Sequence, residues 1–165
     1  MTPKRFLQKN VTGANALARQ YGIPPLVTLA MAALESGWGE KAPGYNFFGY
    51  TASKSYTGKK TLVTTTEFHS TPNIEYPKVL KVTKISPNKY KYRVQRYFKA
   101  YNNPTESFLD YGSLIYNADR YDGAFDYQND PKKFFEEIFK AGYATSPAYY
   151  NLVISVMNSI QKLLV

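Results

Sequence analysis

The stretch that most constrains this chain is the apolar run Leu26-Val27-Thr28-Leu29-Ala30-Met31-Ala32-Ala33-Leu34, which ends on Glu35-Ser36-Gly37-Trp38-Gly39. No polar stripe at helical spacing interrupts it. It therefore predicts a helix buried on most sides, opened by Pro24-Pro25 in its first turn and halted by two glycines. Glu35 falls in the last turn of that helix. There the terminal carbonyls oppose a negative charge, and apolar surroundings penalise it through lost hydration. Both effects predict a raised carboxyl pKa. An acid that keeps its proton near neutral pH can protonate a leaving oxygen, the general-acid step of glycoside cleavage. The alternative is an ordinary solvated glutamate at a helix end.

Taken in order, Thr2 and Pro3 read as cap and first residue of a short helix through Leu7, and a second helix is expected from Val11 to Tyr21, ended by Gly22. After the apolar helix, residues 41–60 form a long loop whose Tyr45, Phe47, Phe48, Tyr50 and Tyr56 argue for order. Thr61–Phe68 has strand composition, and a second β region spans about Val79 to Phe98, broken by turn chemistry at Ser86-Pro87-Asn88-Lys89. In that region Lys89, Lys91 and Arg93 alternate with Tyr90, Tyr92 and Val94, so one face is basic and the other can pack. Helices return at Asn103-Pro104-Thr105-Glu106, at Asp130-Pro131 and at Ser146-Pro147. The last carries Leu152, Val153, Val156, Met157, Ile160, Leu163 and Leu164 at helical spacing, a predicted core stripe. The expected class is α+β, mainly α: one domain over 1–165, with a small antiparallel β lobe at about 61–98.

Composition narrows the chemistry. The absence of cysteine excludes disulfides, thiol catalysis and cysteine metal sites, and the single histidine, His69, rules out a histidine-rich zinc centre. A Ser/His/Asp triad would have to use that one residue. A net charge of +9 calls for an anionic partner. Lys78, Lys81, Lys84, Lys89, Lys91, Arg93, Arg96 and Lys99 crowd one segment with Tyr76, Tyr90, Tyr92 and Tyr97 among them, a pattern open to nucleic acid, to an acidic bacterial wall, or to a merely solvated hairpin. Met1–Phe6 is not followed by the apolar segment of a signal peptide, and no stretch approaches the ~20 apolar residues of a membrane span.

Several short patterns converge. Ala32-Ala33-Leu34-Glu35-Ser36-Gly37-Trp38-Gly39, followed by Asn46-Phe47-Phe48-Gly49, resembles the signature of the glucosaminidase family of peptidoglycan hydrolases, glycoside hydrolase family 73, which includes bacterial autolysins and hydrolase domains of flagellar rod-cap proteins. Thr65-Thr66-Glu67-Phe68, Arg96 to Tyr101, Glu106 to Tyr111 and Ala141 to Tyr149 resemble further family stretches in the family's order. The resemblance implies a lysozyme-like fold, with a cleft between a helical body and the β lobe. It implies Glu35 as general acid and Glu67 as a base or stabilising charge, with Glu75 the fallback, and it sets Tyr143 beside the acid. Trp38, Asn46, Phe47, Phe48, Gly49, Tyr50 and Tyr149 would then line or shape the substrate site. Substrate-assisted attack by the 2-acetamido oxygen stays open, as does the stereochemical outcome. Two departures stand out: Ser146 where the family often has Asp, and Tyr56 near a family Trp. The stretch 70–93 is also longer and more basic than the family leads one to expect.

The reading is thus an endo-β-N-acetylglucosaminidase that cleaves the N-acetylglucosamine to N-acetylmuramic acid β-1,4 bond of peptidoglycan. The alternatives are a lytic transglycosylase, and a non-catalytic wall-binding or nucleic-acid-binding module. The expected partners are peptidoglycan glycan strands and acidic wall polymers, not nucleic acid. The protein is expected to be a monomer, without metal or cofactor, and secreted, periplasmic or wall-associated.

Overall fold

Helix α1 (Pro3–Tyr21) starts where Thr2 Oγ1 accepts the Arg5 N–H at 3.3 Å, and stops at Gly22, whose φ of 72° lies in the left-handed region. In this computed structural model, which describes residues 1–164, α1 is continuous. The two helices expected over 4–7 and 11–21 are therefore one. Asn10, which interrupts the pattern, is accommodated by donating its side-chain amide to the Phe6 carbonyl at 2.8 Å, one turn earlier. Phe6, Leu7, Ala14 and Leu17 form the buried face of α1.

The chain divides into a helical unit, Met1–Gly49 with the chain from Tyr101 onward, and a β unit inserted in it, Tyr50–Ala100. The helical unit is built around α2 (Pro25–Ser36), whose residues from Val27 to Ala33 are all buried, as its apolar run predicts. Helix α3 (Pro104–Tyr116) is capped by Asn103 Oδ1, which accepts the Glu106 N–H at 3.0 Å, and α4 (Pro131–Ile138) by Asp130 Oδ1, which accepts the Lys133 N–H at 3.2 Å. Between α3 and α4 lies a 3₁₀ segment, Asp119–Tyr127, that anchors Tyr121 and Ala124 in the core. A π-helical turn, Phe139–Tyr143, extends α4 and is stopped by Gly142 at φ 94°. Helix α5 (Pro147–Leu164) buries Val153, Met157 and Ile160. The core stripe expected of α5 is narrower than its apolar residues imply: Leu152, Leu163 and Leu164 are exposed.

The β unit is a three-stranded antiparallel sheet in the order β1-β3-β2, made of β1 (Lys60–His69), β2 (Lys78–Ser86) and β3 (Lys89–Lys99). Tyr92 and Val94 of the central strand are fully buried on one face. The Tyr92 hydroxyl donates to the Thr71 carbonyl at 2.7 Å and accepts the Ile74 N–H at 3.3 Å, which ties the β1–β2 connection to the sheet. His69 Nε2 lies 2.5 Å from the Tyr76 hydroxyl, so the lone histidine serves this connection. At its far end β3 pairs with the 50–52 segment through a Thr51–Phe98 bridge, in keeping with the ordered loop expected there. A mostly helical body with one short β excursion is the lysozyme-like plan expected from the sequence. Among the described residues no helix is long and apolar enough to cross a membrane.

Candidate active site

Glu35 is the penultimate residue of α2, and the chain turns sharply just beyond it. Gly37 takes φ 55°, and its N–H bonds back to the Ala33 and Leu34 carbonyls. Trp38 follows at φ 57°, a left-handed conformation that costs a non-glycine residue about 1–2 kcal/mol. Two contacts hold it there. Its N–H bonds to the Ala33 carbonyl at 2.7 Å, and its ring packs edge-on against Phe6 with centroids 5.7 Å apart. Ser36 closes the turn from beneath: its hydroxyl donates to the Ala32 carbonyl at 2.5 Å and accepts the Gly39 N–H at 2.8 Å.

The apolar enclosure expected of Glu35 is not found. The helix that carries it is buried, but its last turn emerges, and the Glu35 side chain is exposed. What defines its position is Tyr149 of α5, whose hydroxyl donates to Glu35 Oε1 at 2.8 Å and lies 3.6 Å from Met31 Sδ, one turn back along α2. Behind Tyr149 the Tyr143 ring is stacked at 6.3 Å and 25°, and Tyr121 packs on Tyr143 at 6.2 Å. Burial pushes the Tyr143 phenol up to about 12, against a lowering hydrogen bond with Tyr111 and with smaller raising effects from Glu35 and Tyr121. Tyr143 is therefore a proton-bearing phenol throughout the neutral range. Burial likewise raises the Tyr121 phenol, opposed by the Arg120 guanidinium.

The other expected site residues fall into two groups. Asn46, Phe47 and Phe48 are buried in the helical unit: Phe48 stacks on Tyr111 at 4.1 Å, and Phe47 packs edge-on against Phe6. Their rings are core, so they shape the unit beneath the Glu35 turn and offer no open face to a ligand. Gly49 is exposed at φ 70°, and Trp38 is half-buried. Tyr50 belongs to the β unit, where the Lys99 ammonium lies over its ring at 5.7 Å and over that of Tyr56 at 5.1 Å.

Glu67 sits on β1 within the β unit, half-buried, with an oxygen 3.1 Å from Arg96 Nη1. Arg96 in turn lies over the rings of Tyr76 and Phe98. Burial raises the Tyr76 phenol, and the nearby Glu67 carboxylate adds to it. Arg96 and Tyr76 also line a cavity of about 570 Å³ in this unit, together with Lys54, Lys60, Glu75 and Tyr97. The fallback acid Glu75 is thus exposed in a cationic pocket, whereas Glu67 is ion-paired on the sheet. Sequence reasoning missed Arg96 as the partner of Glu67, as well as Tyr111 and Tyr121 behind Tyr143. Arg96 stands opposite Val63, on the same sheet face as Glu67 but four residues from its partner Tyr92, so even the register gives only the shared face and not the pairing; Tyr121 lies in a stretch with no periodic signal. Among the described residues no His, Asp and Glu group could hold a metal ion.

Helices with a small antiparallel sheet inserted among them are also the architecture of solved glycoside hydrolase domains. The family model described as glucosaminidase, mannosyl-glycoprotein endo-beta-N-acetylglucosaminidase, matches residues 11–162, and the chain belongs to this glucosaminidase family. Among curated relatives it is 32% identical over 167 residues to the peptidoglycan hydrolase FlgJ of Escherichia coli, covering 97% of this chain and 47% of the relative. It is 29% identical to FlgJ of Vibrio parahaemolyticus, covering 98% of this chain and 49% of that one. The chain thus spans about half the length of these curated relatives. Among solved structures, the truncated glycoside hydrolase domain of Salmonella typhimurium FlgJ superposes with a TM-score of 0.77 at 29% identity, covering 98% of this chain and 99% of the other. The catalytic domain of the autolysin Auto from Listeria monocytogenes gives 0.71 at 26%, covering 99% and 88%.

Proposed function

We propose that this protein is a peptidoglycan hydrolase that cleaves the β-1,4 bond from N-acetylglucosamine to N-acetylmuramic acid, with Glu35 as proton donor. The observation that carries the reading is the Tyr149 hydrogen bond to Glu35, which orients one exposed carboxyl at the end of an otherwise buried helix in a chain of the glucosaminidase family. In this mechanism Glu35 gives its proton to the leaving glycosidic oxygen as positive charge develops at the anomeric carbon. Because Glu35 is exposed in the free protein, the enclosure that favours a protonated acid comes from the glycan strand that covers it. Tyr143, a phenol to high pH, donates a hydrogen bond to the 2-acetamido group or to a water, and Trp38 supplies a ring edge for a sugar. Glu67 is the second carboxyl, activating water or stabilising charge, with its position fixed by the ion pair to Arg96. Attack by the acetamido oxygen would leave Glu67 only the electrostatic part. Action on peptidoglycan places the protein outside the cytoplasm, in the periplasm or at the wall.

The test is mass spectrometry of digested wall. Reducing N-acetylglucosamine ends are expected; anhydro-muramic ends would identify a transglycosylase, and an undigested wall a binding module. Glu35→Gln preserves shape and removes the acid, so wall lysis should fall at least ~100-fold with the circular dichroism spectrum unchanged. Retention of more than about a tenth of the activity would remove Glu35 from the role.

A further inference from the structure

The sheet of the β unit gathers most of its cations on one face, with only Lys84 and Arg96 on the other. In an antiparallel register partners share a face, and alternate residues along a strand share it too. Tyr92 and Val94 are buried, so residues 89, 91, 93, 95 and 97 of β3 point to the opposite, open face. Their partners there are Thr66, opposite Arg93, and Phe68, opposite Lys91, on β1, with Lys81, opposite Arg93, and Lys78, opposite Gln95, on β2. Lys78, Lys81, Lys89, Lys91 and Arg93 are all exposed on this one face, and Lys60 of β1 joins them. The only acid in the three strands, Glu67, stands opposite Tyr92 on the other face, bound to Arg96. Five cations on two adjacent strands thus occupy roughly 5 by 20 Å, with no carboxylate among them. Like charges set directly across from each other, as Lys81 and Arg93 are, destabilise a sheet. A face that keeps them without a counter-charge is complementary to an extended polyanion.

The neighbouring side chains narrow the class of polyanion. The exposed rings on this face, Phe68 and Tyr97, already have the ammonium groups of Lys89 and Lys60 over them at 5.1 and 4.9 Å, which disfavours base stacking. The apolar Leu62 and Phe68 are separated along β1 by Thr64 and Thr66, so no continuous apolar stripe is offered to a bilayer. What is presented is fixed positive charge about every 7 Å along β3. We propose that this face binds the carboxylates of the stem peptides of intact peptidoglycan and holds the β unit on the insoluble polymer. The identity of the polymer rests on the function proposed above; the anion preference rests on the sheet alone.

The experiment uses the full chain carrying Glu35→Gln, so that binding is read without cleavage, and insoluble peptidoglycan stripped of phosphate polymers. Sedimentation at ~0.1 M salt should be strong and at ~1 M weak, because the screening length falls from ~10 to ~3 Å. Changing Lys78, Lys81, Lys89 and Lys91 together to Gln should raise the half-saturating polymer concentration at least about tenfold. The same number of exposed charges removed from α1, at Lys4, Arg5, Lys9 and Arg19, should change it by less than about twofold. Changing the four sheet lysines to Arg restores binding if charge is the cause, and so separates a charge effect from a misfolded sheet. Peptidoglycan whose carboxylates have been converted to amides should lose the wild-type sheet's grip. With Glu35 intact, turnover of an uncharged chitooligosaccharide by the Gln variant should stay within about threefold of normal. The proposal is overturned by undiminished binding to the amidated polymer, by equal losses in the α1 control, or by an equal loss of chitooligosaccharide turnover. Tighter binding through these lysines to DNA, to a phosphate polymer or to anionic vesicles than to peptidoglycan overturns it as well. A wall that is bound but never cleaved by the unaltered chain would instead refute the proposed activity and leave this face standing.

Discussion

Replacing Tyr143 by Phe removes one hydroxyl from the group behind Glu35 and leaves the ring stack on Tyr149 in place. Burial, the first cause, lifts this phenol from 10.0 to about 12 in the folded protein, whereas in the unfolded chain it titrates near 10. The sign follows from proton counts. Below pH 10 both states hold the proton, and the phenol adds no pH dependence. Between pH 10 and about 12 the unfolded chain has released it while the folded chain retains it, so the unfolded state binds fewer protons and stability falls as pH rises. Two pKa units at about 1.4 kcal/mol each give a loss of up to about 3 kcal/mol across that window. Other tyrosines and the lysines titrate there too, so the quantity to read is the difference between wild type and Tyr143→Phe. Urea unfolding followed by circular dichroism at stepped pH should show the wild type losing up to about 3 kcal/mol more than the variant. The ultraviolet absorbance of phenolate should show one late-titrating group in the wild type that the variant lacks. Parallel stability curves would mean that the Tyr143 hydroxyl is solvated and that its stack does not enclose it.

Two further substitutions address the site and the scaffold. Tyr149→Phe removes the donor 2.8 Å from Glu35 Oε1; a hydrogen bond to the carboxylate that forms as Glu35 gives up its proton is worth about 1.5–3 kcal/mol, so kcat on solubilised wall should fall roughly tenfold or more with KM little changed. An unchanged kcat would show that Glu35 is oriented without it. Gly112→Ala on α3 puts a methyl 2.8 Å from Leu17 Cγ and Tyr21 Cδ2 of α1, and this overpacking should cost about 1–3 kcal/mol, read as a lower urea midpoint. A variant as stable as the wild type would mean that α1 and α3 can separate freely at this point.

The elements were legible wherever local chemistry decides them. Asn103-Pro104-Thr105-Glu106 and Asp130-Pro131 start helices as their caps predict, and the turn chemistry at Ser86–Lys89 sits where β2 hands over to β3. Where an error arose, a local rule was extended past its range. The two helices expected before Gly22 are one because the Asn10 amide, which could compete with the helix backbone, bonds four residues back and stays within it. The apolar run before Glu35 predicts an enclosed carboxyl, and the structure exposes it. A run fixes the burial of the turns it occupies and says nothing of the turn that leaves the core, which is why Met31 is buried and Glu35, four residues on, is exposed. The contact that defines Glu35 comes from Tyr149, 114 residues away, and no pattern within a window of a few turns reports such a pairing. The same limit governs the charges. Alternation in β3 was visible in the sequence and already separated Lys89, Lys91 and Arg93 from Tyr90, Tyr92 and Val94. That Lys60, Lys78 and Lys81 join the same face depends on the pairing of β1 and β2 with β3, and a slip of one residue in β2 would carry Lys78 and Lys81 to the side of Glu67. Net charge could therefore call for an anionic partner, but only register decides whether the cations neutralise the protein's own acid or are left together for someone else's.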